Sequence, residues 1–315
     1  MPSPALEQLI AQLRALRPPD LETRGLDPLQ VRRALETFSA AVTPGLDVRE
    51  VDLMRDLAPD DPRYDDEDAV FMPAEWVVPR GADVTQRLVY LHGGGYVAGS
   101  PRTHRGLVTR IARAANMVAL VPDYRLAPEH RFPAALEDAR VALAHAFDHG
   151  PDGEQPATRV VLAGDSAGGG LVISTLVAAR DAGERLPARA ATLSAWADLE
   201  ACGESVVSRA GVDPMLPASL LKGWCRHYLG DIDPRHPLAS PIHADLRGLP
   251  PLLLQVGDAE VLLDDSVRLA ARAKEAGVEV TLEVFDDLFH VFQAFAGALP
   301  EGRAAIATIG AFLRA

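Results

Sequence analysis

Apolar residues recur along this chain with two different periods, and the alternation between them outlines a layered fold. Arg87–Leu91, Val118–Val121, Val160–Ala163, Ala190–Trp196, Leu252–Val256 and Val278–Phe285 are short apolar runs that read as strands. Between and after them, Gly106–Ala115, Ala134–His149, Leu171–Arg180, Leu262–Ala276 and a run from about Gly302 to Leu313 read as helices. Strands that alternate with helices predict an α/β fold, a mostly parallel sheet covered on both faces. Such sheets bind ligands at the carboxyl ends of their strands. Upstream, Val48–Leu57 and Val70–Val78 read as two more strands. The acidic stretch Asp60–Asp68 between them reads as a solvated turn and not as a metal site.

Two segments break the alternation. Residues 1–44 carry helical periods at Ala5–Leu16 and Pro28–Val42, with Pro18-Pro19 between them. Residues 200–237 are inserted after the strand that ends at Trp196. Both are expected to cover the strand ends as a helical cap over a main domain of residues 45–315. Within the insert, Leu216, Leu220, Leu221 and Trp224 recur at helical spacing and are expected to form its inward face.

Composition narrows the function classes. A chain of 315 residues, 48% hydrophobic, suits one large domain with a full core. A net charge of −13 argues against nucleic acid and against an anionic membrane surface. No apolar run is long enough to span a bilayer. Met1–Arg17 lacks a basic start followed by an unbroken apolar core, so a cytoplasmic location is expected. The two cysteines, Cys202 and Cys225, imply no disulfide framework and show no metal-ligand spacing.

The chemistry concentrates at Gly164-Asp165-Ser166-Ala167-Gly168, which joins a strand to a helix. A serine between glycines at so tight a turn is pushed out where a substrate can reach it. Ser166 is therefore the candidate nucleophile, and a hydroxyl needs a base to take its proton. Of nine histidines, His290 lies after the last strand and C-terminal to every candidate acid. The order nucleophile, acid, histidine selects it. The acid should follow the strand Leu252–Val256, where spacing leaves Glu260, Asp258 and Asp264. An oxyanion would be held by the backbone N–H of Ala167 and by amides of His92-Gly93-Gly94-Gly95, of which Gly93 and Gly94 are the candidates.

These motifs, with Asp123-Tyr124-Arg125-Leu126-Ala127-Pro128-Glu129, resemble the hormone-sensitive-lipase-like branch of α/β-hydrolases, the bacterial family IV esterases. The likeness runs from about Val70 to the C-terminus. It implies an α/β-hydrolase fold and serine hydrolysis of carboxylic esters with no cofactor; the expected enzyme is a carboxylesterase acting through an acyl-enzyme on small, fairly apolar esters of short to medium chain, with no metal. A lactonase or arylformamidase would use the same machinery, and a non-catalytic ligand receptor is the further alternative. The likeness favours Glu260 as the acid, at the first Asp of the family's D-P-L-x-D. Val291 stands where a glycine commonly follows the histidine. It implies that His92 anchors the glycine loop, that Asp123, Tyr124, Arg125 and Glu129 hold it in place, and that Asp165 braces neighbouring loops. It also implies a homodimer through the last strand and its neighbouring helix. Tyr96, Trp196 and Phe289 are the residues expected to line the substrate pocket, with ordinary core packing the alternative for each, and Trp224 is equally divided between pocket and core.

Overall fold

Eight strands build the central sheet of the computed structural model, which describes residues 3–16, 27–38, 46–55 and 70–315. They are Leu46–Met54 (β1), Phe71–Pro79 (β2), Asp83–Leu91 (β3), Met117–Pro122 (β4), Arg159–Asp165 (β5), Ala190–Leu193 (β6), Leu252–Gly257 (β7) and Val280–Phe285 (β8). Their spatial order is β1-β2-β4-β3-β5-β6-β7-β8. β1 pairs antiparallel with β2, and β2 with β4; every other pairing is parallel. The mostly parallel sheet expected from the apolar runs is present.

Helices cover both faces, and successive strand residues divide between them. Val89, Leu91, Leu120 and Leu162 pack with Ala134–Asp148 (α4), Ala167–Asp181 (α5) and Leu263–Glu275 (α8). Leu88, Tyr90, Ala119 and Val161 face Pro101–Ala115 (α3) and Pro300–Arg314 (α9) instead. The period of two along each strand makes this division. A third cluster sets Leu6 and Leu13 of Pro4–Leu16 (α1) on Leu288, Phe289 and Phe292, beside the predicted histidine.

Several boundaries depart from the sequence expectation. α3 starts five residues before Gly106, because Ser100 caps it: the Thr103 N–H donates to Ser100 Oγ, and the Ser100 N–H donates back to Thr103 Oγ1. β3 reaches back to Asp83, beyond its apolar half. β6 ends at Leu193, short of Trp196, because Ser194 turns into the left-handed region at φ 52°. The insert contains two helices, Ser205–Ser208 (α6) and Ala218–Leu229 (α7). The helix expected over Pro28–Val42 runs over Pro28–Phe38 (α2); residues 39–42 and Asp60–Asp68 lie outside the described residues.

α2 is held to the body by two charged side chains. Arg32 donates through Nε to Val97 O (2.7 Å), through Nη2 to Ala127 O (2.9 Å), and grips both oxygens of Glu129. Glu36 accepts from Ser100 Oγ (2.8 Å) and Arg102 Nε (2.9 Å). Among the described residues no helix is long and apolar enough to cross a membrane.

Candidate active site

Ser166 sits between the end of β5 and the start of α5, with φ 54° and ψ −123°. For a residue with a Cβ, such a backbone costs about 1–3 kcal/mol and lasts only where its surroundings enforce it. Here they do. The Ser166 N–H donates to Leu193 O (2.9 Å), and Ser166 O accepts from Gly170 and Trp196 N–H groups. A Cβ on Gly168 would lie 2.1 Å from Leu91 O, so only glycine lets α5 leave the turn this close to β3.

The structure brings Ser166, His290 and Glu260 together from positions far apart in the chain. Ser166 Oγ lies 3.0 Å from His290 Nε2, and His290 Nδ1 lies 2.8 Å from Glu260 Oε2. The carboxylate only accepts, so Nδ1 carries the proton and Nε2 is left to accept from the serine. Glu260 is fully buried, yet each of its oxygens is occupied. Its Oε1 accepts from Gly257 N–H (2.7 Å) and from Ser194 Oγ (2.8 Å). Ser194 Oγ in turn accepts from the Val291 N–H at 3.0 Å.

The other acids have different tasks. Asp258 accepts from the Asp287 N–H (2.7 Å), and Asp264 accepts from the Ser205 N–H (2.9 Å). Asp213, which sequence reasoning missed, is buried near the pair. It accepts from the Met215 and Leu216 N–H groups through Oδ1 and from the Val261 N–H through Oδ2. Burial disfavours a charged His290 ring, but the Glu260 hydrogen bond and charge, followed by Asp213 and Asp165, outweigh it and raise the histidine pKa.

The glycine loop requires one correction. The Gly93 N–H is already engaged, donating to Asp165 Oδ1 at 3.1 Å, so it is not aimed at a substrate oxygen. Gly94 and Gly95 are the loop residues that border the cavity beside Ser166. Among the described residues no group accepts from the N–H of Gly94, Gly95 or Ala167. Asp165 is the hub behind this loop. It accepts from Tyr90 OH (2.8 Å) on the same oxygen as Gly93, and its Oδ2 lies 3.4 Å from His104 Nε2. Burial opposes its charge, but His104, the Tyr90 hydroxyl and His92 together hold its carboxyl below the ordinary range.

His92 anchors the loop instead of acting on a substrate. Its Nδ1 lies 2.9 Å from Gly93 O, its ring stacks on Tyr124 at 4.1 Å, and Tyr124 OH donates to His92 O (2.6 Å). Burial, with His104 nearby, pushes its pKa down to about 3. Arg125 and Glu129 act further out: Arg125 binds Asp138, and Glu129 receives Arg32.

A cavity of about 480 Å³ opens over Ser166. Val31, Ala34 and Leu35 of α2 form one wall, Met215 to Pro217 with Leu220 and Trp224 another, and Val291, Ala294 and Phe295 a third. Tyr96, Trp196 and Phe289 do not line it. All three are fully buried: Tyr96 stacks on Tyr228 at 3.8 Å, the Trp196 indole N–H donates to Asp198 O, and Phe289 packs on Phe295 and against α1. They belong to the core because the surrounding elements leave no face of them toward the cavity. Trp224 is the aromatic that reaches the wall. Val291 takes φ 51°, ψ 42°, a left-handed backbone that rationalises the glycine common there and adds a side chain to the wall.

Among the described residues one group, Asp198, Glu200 and Cys202, brings enough donor atoms together for a cation. Asp198 is already held by Arg268 Nη1 (2.7 Å) and the Cys202 thiol (3.0 Å).

Known proteins resemble this chain in sequence and in fold. Residues 88–294 match the model of a family described by the alpha/beta hydrolase fold. The chain is 48% identical over 241 residues to an acetyl-hydrolase of Streptomyces hygroscopicus, covering 76% of this chain and 79% of that one. It is 39% identical over 259 residues to the putative acetyl-hydrolase LipR of Mycobacterium tuberculosis, covering 82% of each. Among solved structures it is similar to EstE5 (TM-score 0.89, 41% identity, 99% and 98% of the two chains). It is also similar to an esterase of the bacterial hormone-sensitive lipase family (TM-score 0.85, 44% identity, 100% and 98%).

Proposed function

This chain belongs to the α/β-hydrolase family, in its hormone-sensitive-lipase-like esterase branch, and is a carboxylic ester hydrolase; from that membership we propose that it cleaves small, fairly apolar esters through a Ser166–His290–Glu260 triad. The observation that carries the reading is the unbroken chain of contacts at 3.0 and 2.8 Å from hydroxyl to imidazole to carboxylate. His290 Nε2 takes the proton as Ser166 Oγ bonds to the ester carbonyl carbon, and Glu260 stabilises the imidazolium that forms. The N–H groups of Gly94, Gly95 and Ala167 hold the negative oxygen. The tetrahedral adduct collapses, the carbon–oxygen bond to the alcohol breaks, and His290 passes its proton to the departing oxygen. A water then repeats the sequence on the acyl-serine and frees the acid.

Two features support short to medium acyl groups: a mostly apolar wall around about 480 Å³, and relatives that are named acetyl-hydrolases. Kinetics on p-nitrophenyl acetate, butyrate, hexanoate and decanoate test the reading. Ser166→Ala is expected to fold and to lose nearly all turnover, together with labelling by a fluorophosphonate. Glu260→Gln is expected to lower kcat by about a thousandfold or more, and Asp258→Asn far less. Parent-rate hydrolysis by Ser166→Ala, or a larger loss in Asp258→Asn than in Glu260→Gln, would overturn it.

A further inference from the structure

Arg110 is the only lysine or arginine among the described residues that line the cavity over Ser166. Building on the esterase reading, we propose that Arg110 determines specificity by pairing with an anionic group, a carboxylate, carried by the ester away from its scissile bond.

The local structure prepares this cation. Thr103, Gly106, Leu107 and Arg110 fall at helical spacing on the face of α3 that borders the cavity. The Arg110 side chain folds back along the helix, and Nη1 donates to Gly106 O at 2.8 Å. That is its only hydrogen bond among the described residues, and no carboxylate reaches it. Its neighbours differ: Arg102 on the same helix is paired with Glu36, and Arg105 with Glu75. A guanidinium has five N–H donors in a planar fork that matches a carboxylate. Most of them stay available here.

Two glycines shape the slot. A Cβ at Gly106 would lie 3.2 Å from Nη1, and a Cβ at Gly297 would lie 3.2 Å from Nη2. The guanidinium therefore lies between α3 and the segment after His290, with Leu107 and Phe295 among the apolar lining. A cation in such surroundings binds an anion more strongly than one in open water. The chain as a whole carries −13, so its overall field repels anions. Any preference for a charged ester over its neutral counterpart must then arise locally.

Ser166 and Arg110 border the same cavity, so a ligand lying in it can reach both, its ester at the hydroxyl and its anion at the guanidinium.

The test uses matched ester pairs. Mono-p-nitrophenyl adipate against p-nitrophenyl hexanoate places the charge on the acyl side, and 6-acetoxyhexanoate against hexyl acetate places it on the alcohol side. In one pair the charged-to-neutral ratio of kcat/KM is expected to fall about tenfold or more in Arg110→Met, through the KM of the charged ester. Arg110→Lys should keep much of the preference. Arg110→Gln serves where the methionine variant does not fold. An unchanged ratio in both pairs, with the neutral esters still cleaved, would overturn this inference alone. No cleavage of any of the four esters would overturn the esterase reading and this inference with it.

Discussion

Ser194 Oγ stands 2.8 Å from Glu260 Oε1 and 3.0 Å from the Val291 N–H, so one hydroxyl ties the Glu260 carboxylate to the residue after His290. It reaches both because Ser194 ends β6 with a left-handed turn beside the nucleophile.

Ser194→Ala should consequently slow chemistry more than it weakens binding. The alanine leaves a carboxylate oxygen with one donor fewer and a buried N–H without an acceptor. Hydrogen bonds to charged groups contribute about 1.5–3 kcal/mol, which corresponds to a kcat loss of about ten- to a hundredfold. Steady-state kinetics should show KM nearly constant and the far-ultraviolet circular dichroism unchanged. A variant with the parent kcat would remove Ser194 from the catalytic support.

The raised pKa of His290 fixes the direction of the pH dependence. The ring must be neutral to accept the serine proton, so activity falls as pH drops through its pKa. The acid limb of kcat/KM is expected above the ordinary imidazole value of 6.5. Asp213→Asn removes one of the negative charges that favour the protonated ring, and the limb should move to lower pH. Movement to higher pH, or none, contradicts the assigned electrostatics.

Stability should respond most sharply at Asp138. This fully buried carboxylate receives Arg55 Nε at 2.7 Å, Arg125 Nε at 3.0 Å and the Arg125 N–H at 2.8 Å. Asp138→Ala removes the carboxylate that two guanidinium groups share, the buried Arg55 and the half-buried Arg125. Breaking such an arrangement costs about 3–5 kcal/mol. Urea denaturation should show the midpoint drop at constant slope. A loss below about 1 kcal/mol would mean that the charges find water instead.

The layered sheet, Ser166 and His290 were legible in the sequence, from apolar runs, a glycine-flanked serine and the chain order, whereas only the family likeness separated Glu260 from Asp258 and Asp264. The spacing Gly93-Gly94-Gly95 could not say which amide faces the substrate, since Asp165 takes the first one across the fold. Tyr96, Trp196 and Phe289 look like wall residues by composition, but an aromatic in the core carries the same letters. Ser194 and Asp213 belong to no motif. The apolar run Ala190–Trp196 hid the fact that the strand ends at Leu193 and so puts Ser194 at its carboxyl end, where such sheets assemble their sites. Val291 departs from the family's glycine, and the left-handed backbone gives that departure its physical meaning.

The wall contributed by α2 has an evolutionary corollary. Val31, Ala34 and Leu35 touch the cavity, while Arg32 and Glu36 on the same short helix fasten it to the body. Anchoring letters and selectivity letters thus alternate within one segment of eleven residues. Mutational drift there can retune which molecules are accepted without disturbing the hydrolytic apparatus, and grafting this helix between homologues should transplant selectivity as a unit.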